Sequence, residues 1–136
     1  MKKIEEINRL FDSFGDEPVQ LRMGGYHSER LDSILSSNNR KKIKYVIDIN
    51  PRCMMYKFNV PVISKPREEG IVVLSSHDYL AKLIKESEGY VGVRVVDVYR
   101  HLEEKGFKCR MPVYELEPLP EEYDVGFPLE DFERYE

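Results

Sequence analysis

Apolar positions recur along the chain with two different periods. Ile4, Ile7, Leu10, Phe11 and Phe14 fall at spacings of three and four, which predicts an amphipathic helix over residues 3–14, closed by Gly15. After Pro18, Val19-Gln20-Leu21-Arg22-Met23 alternates apolar and polar, a strand period, and stops at Gly24-Gly25. Ser28 then caps a helix whose inward face is Leu31, Ile34 and Leu35, and Ser36-Ser37-Asn38-Asn39 breaks it. The β-branched run Ile43-Lys44-Tyr45-Val46-Ile47-Asp48-Ile49 predicts a second strand, halted by Asn50-Pro51. Val60-Pro61-Val62-Ile63 is a short third strand that Pro61 directs to a sheet edge. Ile71-Val72-Val73-Leu74 is a continuous apolar run, the pattern of a parallel strand covered on both faces.

Ser75-Ser76-His77-Asp78 offers several caps to a helix with Tyr79, Leu80, Leu83 and Ile84 inside, ending at Gly89. A fifth strand is expected over residues 91–96. Asp97 then caps a helix through Val98, Tyr99 and Leu102 that ends at Gly106, and a last strand is expected from Phe107 to Tyr114. Strands alternating with helices imply parallel βαβ units wound by right-handed crossovers. The predicted fold is therefore α/β: a three-layer Rossmann-like domain with a mainly parallel sheet of about five strands, in an order near 3-2-1-4-5. One such domain is expected over residues 1–115, including the N-terminal helix, with residues 116–136 as a C-terminal tail.

The length of 136 residues fits one domain, and the 41% hydrophobic content excludes disorder over most of it. The N-terminal segment lacks the apolar stretch of a signal peptide, and no apolar run approaches the ~20 residues that span a bilayer. Two cysteines 56 positions apart, Cys53 and Cys109, make neither a disulfide framework nor a metal knuckle. A cytoplasmic location is expected. The net charge of −4 is unevenly laid out. Residues 115–136 carry −8, with Tyr123, Phe127, Phe132 and Tyr135 among the acids, whereas residues 1–114 carry +4. Within the body, residues 40–67 carry +7, a candidate anion-attracting surface or a plain solvated face.

In an open parallel sheet, ligands bind beyond the carboxyl ends of the strands, where the strand order reverses. Here that point falls between the strand ending at Met23 and the strand ending at Leu74. One loop delivers Gly24, Gly25, His27 and Ser28, and the other delivers Ser75, Ser76, His77 and Asp78. Both loops run into helix N-termini, which favour anions. Asp48 ends the second strand, where dinucleotide folds hold a ribose with a carboxylate. The expected ligand-binding residues are therefore Gly24, Gly25, Ser28, Asp48, Ser75, Ser76 and Asp78, with His27 and His77 as catalytic candidates. Lys44, Arg52 or Lys57 would add cations.

Plainer readings stand beside these: Gly24-Gly25 as a structural turn, Asp48 as a turn cap, the serines as helix caps, and the histidines as solvated loop residues. His101 is expected on the surface, and Cys53 as a quiet, partly buried thiol. The chain contains no phosphate-binding G-x-x-x-x-G-K-[ST] loop, no G-x-S-x-G elbow and no H-E-x-x-H. No cofactor and no metal are expected, and net acidity argues against nucleic-acid binding.

Three segments carry a resemblance: Tyr45-Val46-Ile47-Asp48-Ile49-Asn50-Pro51-Arg52, Phe58-Asn59-Val60-Pro61-Val62-Ile63, and Ile71-Val72-Val73-Leu74-Ser75-Ser76-His77-Asp78-Tyr79. Together with Val96-Asp97-Val98-Tyr99-Arg100-His101-Leu102, they make residues 19–114 resemble the Rossmann-like C-terminal domain of sugar C-methyltransferases and of bacterial surface-polysaccharide biosynthesis proteins. Met23-Gly24-Gly25 departs from the Gly-x-Gly of that group, and Cys53-Met54-Met55 replaces its small residues after Pro51. The resemblance implies an accessory domain standing alone, binding a phosphorylated or nucleotide-linked sugar. The alternatives are a small enzyme using His27 or His77 as acid/base on such a substrate, and a regulatory domain whose acidic tail docks on a partner protein or a second copy. The expected partner is a small anionic or sugar ligand, with no nucleic acid and no membrane.

Overall fold

The structure, a computed structural model, describes residues 3–24, 26–49, 58–75 and 80–107. It is a three-layer, Rossmann-like α/β fold. Helix α1 (Lys3–Ser13) leads into strand β1 (Val19–Arg22), then α2 (Tyr26–Ile34), a one-turn α3 (Ser37–Arg40) and β2 (Ile43–Ile47). The edge strand β3 (Val62–Ile63), β4 (Ile71–Leu74), α4 (Leu80–Ser87), β5 (Arg94–Asp97) and α5 (Val98–Glu104) complete the order. The five strands are all parallel, in the order β3-β2-β1-β4-β5. This is the order the hydrophobic runs predict, with Pro61 beside an edge strand as expected. No helix among the described residues is long and apolar enough to cross a membrane.

The two faces of the sheet carry separate cores. Val19, Leu21, Val46, Ile71 and Val73 pack with Ile7 and Phe11 of α1, Leu31 of α2 and Leu102 of α5. Ile47, Val72 and Leu74 pack with Leu83 of α4 and with Tyr99 on the other face. The register of β1 on β2 slips once, so that Val19 pairs with Ile43 but Gln20 with Tyr45. Lys44 is the extra residue of this bulge, which lets Ile43 and Val46, three positions apart, both join the core that holds Val19 and Leu21.

Strand β1 departs from the half-exposed alternation its sequence suggests, because it is central and all four of its residues are buried. Its polar members find distant partners, as buried polar groups must. Gln20 Nε2 donates to the carbonyls of Arg67 and Glu69 at 2.9 and 3.1 Å, and its Oε1 accepts from the Arg67 amide at 2.7 Å. Arg22 donates through Nε and Nη2 to the carboxylate of Glu86 in α4, at 2.6 and 3.0 Å. Tyr90 Oη donates to the same carboxylate. Burial opposes the Arg22 charge, but the hydrogen bond and charge of Glu86 outweigh it, so the guanidinium titrates above its ordinary value. The Arg22 hydrogen bond holds Glu86 below the usual carboxylate range against the effect of its burial. Burial and the Glu86 contact push the Tyr90 phenol up to about 12.

Three local expectations change. Helix α2 begins at Tyr26, so Ser28 lies inside the first turn and is not its cap. The serine-asparagine stretch does more than break α2: Ser36 caps α3, accepting from the Asn39 amide at 3.2 Å. Asn39 is fully buried, and its Nδ2 lies 3.1 Å from the Asn8 carbonyl and 3.0 Å from Asp12 Oδ1, fastening α3 to α1. His101 is also not a free surface residue. Its Nε2 sits 3.1 Å from the buried carboxylate of Glu6, joining α5 to α1.

Candidate functional site

The site is built where β1 and β4 end side by side, the reversal point of the strand order. Beyond Arg22 the chain turns through Met23, whose φ of 89° lies in the left-handed region. A non-glycine residue held there costs of order 1 kcal/mol or more, and it persists only where its surroundings enforce it. The enforcing contacts are plain: the Met23 amide donates to the Ile47 carbonyl at 2.8 Å, and the Met23 carbonyl accepts from the Ser28 hydroxyl. Next, the Gly24 amide donates to Asp48 Oδ2 at 2.9 Å. The carboxylate at the end of β2 therefore braces the β1 loop.

Ser28 and Ser75 face each other through their hydroxyls, 1% and fully buried respectively by exposure. Ser75 also approaches the Arg22 carbonyl at 3.0 Å. With one proton each, the two serines divide their protons between the Met23 and Arg22 carbonyls and each other. Tyr99, on the first turn of α5, reaches into the same corner: its hydroxyl donates to the Ser75 carbonyl at 2.9 Å and lies 3.4 Å from Nδ1 of His27. His27 is only 5% exposed and Tyr99 2%, so this polar cluster is nearly dry.

Asp97 sets the position of Tyr99. It ends β5 and caps α5, with Oδ1 accepting from the Tyr99 and Arg100 amides at 3.0 and 3.2 Å. Its Oδ2 is buried without a hydrogen-bond partner among the described residues. Burial raises the Asp97 carboxyl above its ordinary value, partly offset by those two amide hydrogen bonds. The Asp-x-Tyr-x-x-Leu spacing thus has a physical content: Asp97 caps, Tyr99 reaches the strand ends, and Leu102 fills the core at 0% exposure.

Of the expected site residues, the structure brings together Gly24 with Asp48, and Ser28 with Ser75 and His27. Gly25, Ser76, His77 and Asp78 lie outside the described residues, as do Arg52, Lys57, Cys53, the expected last strand beyond Phe107 and the acidic tail. Lys44 does not belong to the site. It lies near the start of β2, whereas the crevice lies past the end of β2, so Lys44 sits at the opposite end of a parallel sheet. There it lines a hollow of about 620 Å³ together with Asp32, Arg40, Lys41, Phe58 and Val60. Arg40 is committed at that end as well, donating to the carbonyls of Asp32, Ser33 and Leu35 at the close of α2. Tyr99 and Asp97 are the site residues that sequence reasoning assigned only to a helix face and its cap; the signal was the Asp-x-Tyr segment directly after a strand. Among the described residues, no group of three His, Cys, Asp or Glu side chains is disposed to hold a metal ion.

No family model, curated protein or solved structure matches the chain.

Proposed function

We propose that the chain is a binding module for a phosphorylated or nucleotide-linked sugar, seated over the carboxyl ends of β1 and β4. The single observation that carries this reading is the strained Met23 turn, held at φ 89° directly above a buried polar cluster at the strand-order reversal. Backbone strain of this kind concentrates at ligand clamps. The first turn of α2 lies at the positive end of a helix dipole, which favours a phosphoryl group, and Asp48 supplies a carboxylate for sugar hydroxyls. The resemblance over residues 19–114 extends the proposal to bacterial surface-polysaccharide metabolism. Isothermal titration against a panel of nucleotide-sugars and sugar phosphates is the test. Binding better than about 1 mM, worth about 4 kcal/mol, is expected for at least one member, weakened tenfold or more by Asp48→Ala. A flat panel at millimolar ligand overturns the reading.

The contact of His27 with Tyr99 favours a second reading, acid/base chemistry on the same ligand. On that reading, His27→Gln abolishes turnover and leaves binding largely intact.

A further inference from the structure

We infer that the acidic C-terminal segment of this chain, centred on residues 121–127, docks in cis into the basic hollow at the start of β2. The hollow lies at the opposite end of the sheet from the proposed crevice, so the inference stands apart from the ligand reading.

At about 620 Å³ the hollow is within the roughly 300–1,000 Å³ of clefts that take a ligand. Its described lining offers two kinds of surface. Phe58 and Val60 are apolar and half-buried, and they pack on the core beneath α1 and α2. Lys41 and Lys44 are exposed, and with Arg40 they outnumber Asp32, the only acid among the described lining residues. Arg40 is committed to the carbonyls at the end of α2 and stands 3.8 Å from Asp32, so the two lysines set the field over the hollow. The stretch 40–67 around them carries +7. A fitting occupant combines carboxylates with apolar rings.

The chain itself carries such a segment. Glu121-Glu122-Tyr123-Asp124-Val125-Gly126-Phe127 sets three carboxylates beside two aromatic rings, within a stretch, 115–136, of charge −8. Pro118, Pro120 and Pro128 flank it, and prolines oppose helix and favour the extended backbone that a groove can hold.

Topology brings the two together. Helix α5 starts at the carboxyl ends of the strands, where Tyr99 donates to the Ser75 carbonyl, and runs back over the sheet to Leu102 in the core. The chain therefore passes Phe107, the last described residue, toward the amino ends of the strands, the end that holds the hollow. Strands β5 and β2 stand three places apart in the sheet, about 14 Å at ~4.8 Å per strand. Residues 108–120 can reach about 43 Å when extended, at ~3.3 Å each, so the tether crosses that gap with slack. Attachment also gives the segment an effective concentration of order 1 mM, at which a contact of only about 0.1 mM as free peptide keeps the hollow about nine-tenths filled.

NMR on the full chain tests this. Nuclear Overhauser contacts are expected from the Phe58 ring or the Val60 methyls to the ring of Tyr123 or Phe127, with relative intensities unchanged on tenfold dilution. Salt at about 0.5 M, where screening shortens to roughly 4 Å, should weaken them and shift the amides of Lys41, Lys44 and residues 121–127 together. Glu121→Gln, Glu122→Gln and Asp124→Asn combined change no described residue and should remove the contacts. Lys41→Glu with Lys44→Glu should remove them from the other side, and if that variant fails to fold, the tail variant decides. A synthetic peptide of residues 119–129 should bind the tail-neutralised chain about tenfold more tightly than the wild type, whose hollow is already occupied.

A wild-type spectrum without contacts between the tail and the hollow overturns the inference, as does a tail seated on another face. Contacts that fade on dilution put the segment on a second copy and overturn docking in cis. Equal peptide affinity for the wild-type and tail-neutralised chains overturns it as well.

Discussion

Removing the carboxylate of Glu86 is expected to destabilise the fold more than removing the guanidinium it holds. The reason is an asymmetry of burial: the Arg22 side chain is 5% exposed, whereas that of Glu86 is 39% exposed. Glu86→Ala leaves a positive charge under α4 without its two-pronged partner, facing the Ile47 carbonyl at a weak 3.5 Å. Breaking a fully buried ion pair from one side costs about 3–5 kcal/mol. Water reaches Glu86, so the pair is worth less than that, and about 2 kcal/mol is expected. Arg22→Met fills similar space and leaves a carboxylate that solvent can cover, for about 1 kcal/mol. The double variant should lose about 1 kcal/mol less than the two singles added together.

Urea unfolding followed by circular dichroism measures all three, with an unchanged slope as the sign that only stability has moved. The pH dependence carries a second signature. Glu86 titrates below its ordinary value because Arg22 stabilises its charge. Its contribution is therefore complete above the unfolded-state value of about 4.3 and is lost as pH falls through the lower folded-state value. Glu86→Gln should flatten that acid limb. Two results refute the reasoning: Arg22→Met costing more than Glu86→Ala, or single effects that simply add.

The Tyr90 phenol, raised to about 12, contributes stability that is complete below about pH 10 and lost as pH rises toward the folded value. Alkaline unfolding curves of wild type and Tyr90→Phe should therefore converge on approaching pH 12, and parallel curves would count against it. Asp97→Ala removes the cap of α5 and should cost about 1 kcal/mol. Asp97→Ser keeps an acceptor for the Tyr99 and Arg100 amides and removes the unpartnered Oδ2, so thermal unfolding at pH 7 should place it above Asp97→Ala. At Gly70, with φ +70°, a Cβ would lie 2.1 Å from the Pro18 carbonyl oxygen, whereas at Gly15, with φ +64°, it meets nothing within 4 Å. Gly15→Ala should cost only the left-handed penalty of about 1–2 kcal/mol, and Gly70→Ala clearly more by the same unfolding assay.

The strand order was legible because the deciding signals are local. The apolar run Ile71–Leu74 marks a doubly covered strand, Pro61 marks an edge, and helices between strands force parallel pairing. The fate of the polar residues in β1 was not legible. Gln20 and Arg22 read as the wet face of an alternating strand, yet their partners lie 47 and 64 residues away, beyond the reach of any local pattern. Ser28 misled for a related reason. A serine before an apolar helix face looks like a cap, but the Met23 turn starts α2 two residues earlier and turns the hydroxyl back on the loop. Lys44 reads as a cation of the basic stretch 40–67 that leads into the second strand, although the length of the parallel strand separates it from the crevice at the other end of the sheet. Tyr99 reads only as a position on a helix capped by Asp97; its ring packs in the core, and its hydroxyl gains a role only once β5 stands beside β4.

The hydroxyls at the strand ends also decide how this part of the molecule comes apart. Ser28 binds the Met23 carbonyl, Ser75 the Arg22 carbonyl, and Tyr99 the Ser75 carbonyl, while Asp97 anchors Tyr99. The ends of β1 and β4 and the first turns of α2 and α5 are thus stitched by side chains across four separate segments. None can swing out alone without stranding a buried hydroxyl or carbonyl of another. In amide hydrogen exchange, these four segments are expected to open as one cooperative unit, distinct from the opposite end of the sheet; independent protection of the segments would refute this.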